Sequence, residues 1–233
     1  MYKKISNIAE RELIEKELGV SYKFPRLYTP SSVIDGSQET TLSVITIDQP
    51  NHISYAIWGL LPDNYEEEWS NFQRALDTLN VSKERLTVNG IFKEPYQKRR
   101  CLIIVTGFFI YHLYKGALYP YYVYIDQEKP FYIGGVYNIL EDGFITCSMI
   151  MTKATGIVGQ IQNLNENMPI FVSDDNTSTW LNSKADMYDI NVITNSDSSL
   201  NLKAHPIAKE FFKNSISFES MLEPVFYKGI PKF

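Results

Sequence analysis

KRRCLIIVTGFFIY, residues 98–111, is the stretch whose reading decides the fold. From Cys101 to Tyr111 only Thr106 and Gly107 interrupt the apolar residues. A run rich in Ile, Val and Phe, flanked by turn residues, reads as a buried strand from Cys101 to Ile110. It falls well short of the roughly 20 apolar residues a membrane helix needs.

Working outward, more short strands follow: Tyr119 to Ile125, Phe131 to Tyr137 and Phe144 to Met151, with Gly, Pro, Asn or Asp in most connections. Upstream, Leu42 to Ile47 and Ile53 to Trp58 flank Asp48-Gln49-Pro50-Asn51, a hairpin turn signal. Leu86 to Asn89 reads as one more strand. Gly134-Gly135 inside a strand pattern marks a bulge or a close backbone contact.

Residues 7 to 18 read as a helix, capped by Asn7 with Glu10 three positions on and stopped by Gly19. Tyr65, Trp69, Phe72, Leu76 and Leu79 step by four and three, a core-facing helical stripe that Asp63 or Asn64 could cap. Glu66-Glu67-Glu68 at that helix start suits the helix dipole better than catalysis. Weaker helices cover Thr155 to Leu164, Asp175 to Asn182 and Pro206 to Lys213. Ser173 to Thr179 and Asn195 to Ser199 are polar loop material. The fold expected is α+β: a single domain over 1–233 with a strongly curved, mostly antiparallel, barrel-like β core and flanking helices.

Composition agrees with a globular chain. Of 233 residues, 44% are hydrophobic and 21% charged, and 14% are aromatic, with 16 Tyr. A chain this long buries about 70% of its unfolded surface and needs no staple. The net charge is −5, so any nucleic-acid role must rest on a local patch. Two cysteines form no disulfide framework, and the opening Met1-Tyr2-Lys3-Lys4 lacks a signal-peptide core. A soluble, cytoplasmic protein without membrane contact is expected.

Few side chains offer chemistry by pattern. His52, His112 and His205 show no ligand spacing, so neither a metal nor a cofactor is expected. No glycine-rich phosphate loop and no GxSxG context occurs. Cys101 and Cys147 lie in apolar strands, where a thiolate is disfavoured. Lys93 to Arg100 holds Lys93, Lys98, Arg99 and Arg100 interleaved with Phe92 and Tyr96, which suits a single strand. The plainer reading is a solvated loop leading into the strand at Cys101.

An ordered set of motifs resembles the SRAP family, the SOS-response-associated peptidase and abasic-site-processing proteins. Trp58-Gly59-Leu60-Leu61-Pro62 is similar to its WGL-x-P signature, and Asn89 stands where N-A-R-A-E begins. Lys98-Arg99-Arg100-Cys101-Leu102 is similar to R-R-C-L, and Gly107-Phe108-Phe109 to the start of G-F-Y-E-W. Pro120-Tyr121-Tyr122, Gly134-Gly135-Val136-Tyr137, Met168-Pro169 and Trp180-Leu181 continue the order. The similarity covers about residues 53 to 182.

The resemblance implies a groove holding single-stranded or abasic DNA, with Trp58, Asn89, Lys93, Lys98, Arg99 and Arg100 as candidate contacts. It also implies a reactive Cys at position 2, whose amine and thiol trap an abasic aldehyde as a thiazolidine, assisted by a Glu and a His. The same Cys is invoked for peptidase activity. Here those positions carry Tyr2, Ile110 and Asn165, and only Asn89 is kept. Two family arginines fall on Ile91 and Asn167. The expected protein is therefore catalytically degenerate, at most a DNA- or ligand-binding module. The alternatives are a non-nucleic-acid binding or scaffold protein using a neutral groove lined by Ile91, Ile110, Asn165 and Asn167, or a residual Schiff-base lyase using Lys3, Lys4 or the terminal amine.

Overall fold

Thr106 is the pivot of the architecture. In the computed structural model, which describes residues 2–88, 90–196, 200–212 and 219–230, the apolar run divides there into two strands belonging to different sheets. The strands in chain order are β1 (Lys4–Asn7), β2 (Ser21–Tyr22), β3 (Ser31–Asp35), β4 (Thr41–Thr46), β5 (Gln49–Trp58), β6 (Asn80–Ser82) and β7 (Arg100–Val105). They continue with β8 (Gly107–Tyr114), β9 (Ala117–Ile125), β10 (Phe131–Ile139), β11 (Ile145–Lys153), β12 (Asn167–Pro169), β13 (Phe171–Val172) and β14 (Leu202–Pro206). The helices are α1 (Arg11–Leu18), α2 (Trp69–Ala75), α3 (Gly90–Lys98), α4 (Gly156–Ile161), α5 (Asp174–Trp180) and α6 (Met187–Asn195).

The larger sheet runs β12-β11-β10-β7-β4-β5-β2. β5 also pairs in parallel with β11, Trp58 opposite Cys147, so β4, β5, β11, β10 and β7 close into a ring. The second sheet runs β14-β9-β8-β1-β3. The expected single strand from Cys101 to Ile110 is thus corrected: β7 belongs to the ring and β8 to the second sheet. The break is anchored, because the Thr106 amide donates to the Ser6 carbonyl at 2.9 Å and its hydroxyl accepts from the Ile8 amide at 3.0 Å. Gly107 is required at the exit, since a Cβ there would lie 2.3 Å from the Tyr122 ring.

β7 is apolar throughout because both of its faces are covered. Cys101, Ile103 and Val105 pack with Trp58, Phe108, Ile133 and Cys147. Leu102 and Ile104 face the other way, towards Ile14 of α1, Tyr96 of α3, Trp180 of α5 and Ile190 of α6. Each such buried side chain contributes about 1.5–3 kcal/mol of transfer free energy. Gly134-Gly135 keeps its register with β7 and makes the close contact rather than a bulge: a Cβ on Gly134 would sit 2.6 Å from Ile170.

Other expectations change. Asn7 ends β1 opposite Ser31, and α1 starts only at Arg11; its stop at Gly19, with φ +66°, is where it was expected. α2 is shorter than the aromatic stripe, and Tyr65 precedes it, packing edge-on to Phe72 at 4.9 Å. The hairpin turn is the tighter pair Ile47-Asp48, with Thr46 opposite Gln49. Leu86 to Val88 are turn residues, the strand there being β6, and Asn89 lies outside the described residues. Asp174 to Thr179 is helical rather than loop, and Asn195 ends α6, which the sequence patterns missed. Pro206 ends β14, with a short 3-10 turn at Lys209–Phe212 in place of the expected helix; Lys213 lies outside the described residues.

Candidate functional site

Tyr2 enters the core just ahead of β1. It is 3% exposed, and its ring packs 5.9 Å from that of Phe108. Its phenol donates to Gln162 Oε1 at 2.7 Å, and its carbonyl accepts from Asn80 Nδ2 at 2.6 Å. Gln162 in turn donates through Nε2 to the Asn167 carbonyl at 2.7 Å. Burial pushes the Tyr2 phenol far above its ordinary range. The group is neutral and non-nucleophilic near neutral pH.

A cavity of about 230 Å³ opens beside it, lined by Tyr2, Phe109, Ile110, Tyr111, Gln162, Leu164 and Asn165. Ile110 comes from β8, and Asn165 from the loop before β12, where its Oδ1 accepts the Asn167 amide at 3.1 Å. Residues 2, 110 and 165 are therefore neighbours in space, although nothing in their spacing brings them together. Among the described residues the lining contains no thiol, imidazole, carboxylate or cationic side chain. His112, two positions beyond Ile110, turns to the Ile161 carbonyl, with Nδ1 at 2.6 Å.

The basic run folds differently from the expected loop. Residues Gly90–Lys98 form α3, and Phe92 and Tyr96 are buried beneath it, so neither presents a face for base stacking. Arg100 is 0% exposed. Its guanidinium donates to the carbonyls of Trp180 (3.0 Å), Tyr96 (3.0 Å), Gln97 (2.8 Å) and Asn182 (2.7 Å). It is a structural arginine, not a phosphate contact. Trp58 is likewise in the core, donating Nε1 to the Leu79 carbonyl at 2.9 Å. Lys93 and Lys98 are exposed, and Glu94, the one acid of the run, pairs with Lys98 at 3.5 Å and Arg99 at 3.0 Å.

The other candidates sit elsewhere. Lys3 pairs with Asp77 at 3.2 Å and Lys4 with Asp35 at 3.5 Å, and neither lines the Tyr2 cavity. Cys101 and Cys147 are free and buried, and burial raises both thiols well above their ordinary values. His52 is exposed, and His205 Nε2 lies 2.7 Å from the Leu222 carbonyl. Among the described residues no His, Cys, Asp and Glu side chains form a group that could hold a metal, and no helix is long and apolar enough to cross a membrane.

The family model described as SOS response associated peptidase (SRAP) matches residues 4–214. The chain belongs to the SRAP family. It is 26% identical over 162 residues to the abasic site processing protein YobE of Bacillus subtilis, covering 67% of this chain and 70% of that one. The abasic site processing protein YoqW of the same organism is also 26% identical over 162 residues, covering 69% of its length. A crystal structure of a protein from Bacteroides thetaiotaomicron superposes with a TM-score of 0.83 at 21% identity, covering 96% of this chain and 99% of that one. That likeness shows a shared fold.

The retained SRAP motifs are mostly pieces of one core. Arg100 of the R-R-C-L match bonds the Trp180 carbonyl of the W-L match, and Trp180 Nε1 donates to the Cys101 carbonyl at 2.9 Å. The ring of Trp180 and the side chain of Ile170 press on Gly134. Gln162 and Asn80, which hold Tyr2 in place, were missed from sequence. An amide at the end of the apolar turn Ile157–Ile161 was the only signal for Gln162, and it is not specific.

Proposed function

We propose that this chain is a single SRAP domain over 1–233 that binds single-stranded or abasic DNA without bonding to it covalently. One observation carries the reading: Tyr2, Ile110 and Asn165 meet at one cavity whose lining, among the described residues, holds no thiol, imidazole or carboxylate. Thiazolidine formation needs an amine and a thiol on one residue and an acid or base to move protons. A buried phenol bonded to Gln162 supplies neither. The abasic-site processing named for the Bacillus relatives supports DNA as the ligand class.

Denaturing electrophoresis with abasic single-stranded DNA tests the loss of chemistry, and an anisotropy titration with the same DNA tests binding. No covalent band, together with binding that weakens as salt rises, is the expected pair of results. A covalent band overturns the reading, and so does no binding at low salt, where the phosphate attraction is strongest. Borohydride trapping addresses the residual lyase: with Lys3 and Lys4 held by Asp77 and Asp35, no trapped adduct is expected. The uncharged lining of the cavity is the observation that favours the second reading, a neutral groove for a non-nucleic-acid partner. Loss of DNA binding at low salt selects it.

A further inference from the structure

A second, larger cavity of about 550 Å³ lies where the free edge of β3 faces β4 and β5 of the ring. Its walls include Asn7, Ser43, Tyr28 and Tyr55. Asn7 is 3% exposed; its Nδ2 donates to the Ile104 carbonyl at 3.3 Å, and its Oδ1 has no partner. Leaving a buried acceptor unmatched is unfavourable, and the cavity beside it is where a donor could arrive. Ser43 accepts from the Tyr22 phenol at 3.0 Å, which leaves its own hydroxyl hydrogen to donate. Tyr22 stacks on Tyr55 at 5.8 Å and sits 4.8 Å from Tyr28, so the wall is a fixed aromatic cluster.

Charge decides what enters. Lys4 is matched by Asp35 at 3.5 Å and lies over the Phe211 ring at 4.9 Å, and the exposed Glu39 adds a carboxylate, so the wall carries no free cation for a phosphate. The polar floor disfavours an aliphatic group. A flat, neutral ligand with adjacent donor and acceptor meets all three features. We propose that this cavity takes an unpaired nucleobase, with Asn7 and Ser43 reading its edge and Tyr55 flanking its face. The inference rests on the DNA-binding function proposed above and adds a base subsite to it. The two cavities are neighbours: the ring of Tyr111, which lines the Tyr2 cavity, lies 6.5 Å from that of Phe211, which lines this one.

The test compares a short oligodeoxycytidine with an all-abasic tetrahydrofuran strand of the same length and charge, by anisotropy at low salt. Stacking of one base gives a preference of about tenfold for the base-bearing strand. Tyr55→Ala with Ser43→Ala, which removes the stacking face and one edge contact, brings that ratio close to one while affinity for the abasic strand stays unchanged. Equal affinity of the native protein for the two strands, or a preference that survives in a folded double variant, overturns this inference and leaves the proposed function standing. No affinity for either strand overturns both. Should the double variant not fold, an amide NMR titration of the native protein with deoxycytidine decides. Shifts grouped around Asn7, Ser43 and Tyr55 support the subsite, and their absence overturns it.

Discussion

The Tyr2 phenol donates to Gln162 Oε1 at 2.7 Å across 160 positions of sequence. This contact ties the segment leading into β1 to the end of α4. Tyr2→Phe keeps the ring against Phe108 but leaves the Gln162 oxygen unmatched in a buried place. The expected cost is about 1–3 kcal/mol, read as a lower urea midpoint with an unchanged slope.

Restoring the missing groups should restore the reaction. Tyr2→Cys, with Met1 removed so that its amine is free, combined with Ile110→Glu and Asn165→His sets an amine and a thiol on one residue and a carboxyl and an imidazole around the cavity that these three positions line. A covalent band with abasic DNA is expected for the triple variant and not for the native chain. Tyr2→Cys alone should be slower by a factor on the order of 10²–10⁴, the usual contribution of general acid–base groups. A triple variant that melts cooperatively yet gives no band would show that the cavity is not the reacting place.

Arg100 separates structure from binding. Arg100→Ala strips the donor from four buried or part-buried carbonyls and is expected to cost about 3 kcal/mol or more. Lys93→Ala, on the exposed side of α3, should stay within about 0.5 kcal/mol. Thermal melts of the two variants side by side check this. Equal melts would remove Arg100 from the core.

Alkaline pH should unfold the chain in a defined window. Burial pushes Tyr121, Tyr122 and Tyr132 from 10.0 up to about 12, and Tyr2 higher still. With the folded value raised, the unfolded chain loses its protons first as pH climbs. The stabilisation is fully present below about pH 10 and is lost as pH rises through about 12. Denaturation midpoints should fall across that window, with tyrosinate absorbance appearing together with unfolding. Early, complete ionisation in the folded state contradicts the burial.

Gly134→Ala should be costly for a steric reason. The new Cβ would lie 2.6 Å from Ile170 Cδ1 and 3.0 Å from Trp180 Cζ2, between β10 and α5. Overpacking of this kind costs about 1–3 kcal/mol, or a melting temperature lower by about 2–4 °C per kcal/mol.

Periodicity made much of the β core legible. β9, β10, β11 and the hairpin of β4 and β5 fall close to their expected ranges because each carries β-branched and aromatic residues between turn signals. The break at Thr106 was visible as two small residues in an apolar run. What it does was not visible, because the direction of β8 depends on Ser6, Ile8 and Tyr122, all distant in sequence. The basic run misled for the same reason. Its local composition fits a DNA-contacting loop, but Phe92, Tyr96 and Arg100 find their partners across the fold on α5, α6 and the residues after α5.

By itself, the sequence determined the family, since that depends on which side chains occur and in what order. Only the tertiary structure decided that Tyr2, Ile110 and Asn165 share a cavity, that Tyr2 is held there by Gln162, and that Arg100 and Trp58 belong to the core. Those facts depend on contacts between distant positions, and burial alone sets whether an arginine meets a phosphate or four backbone carbonyls.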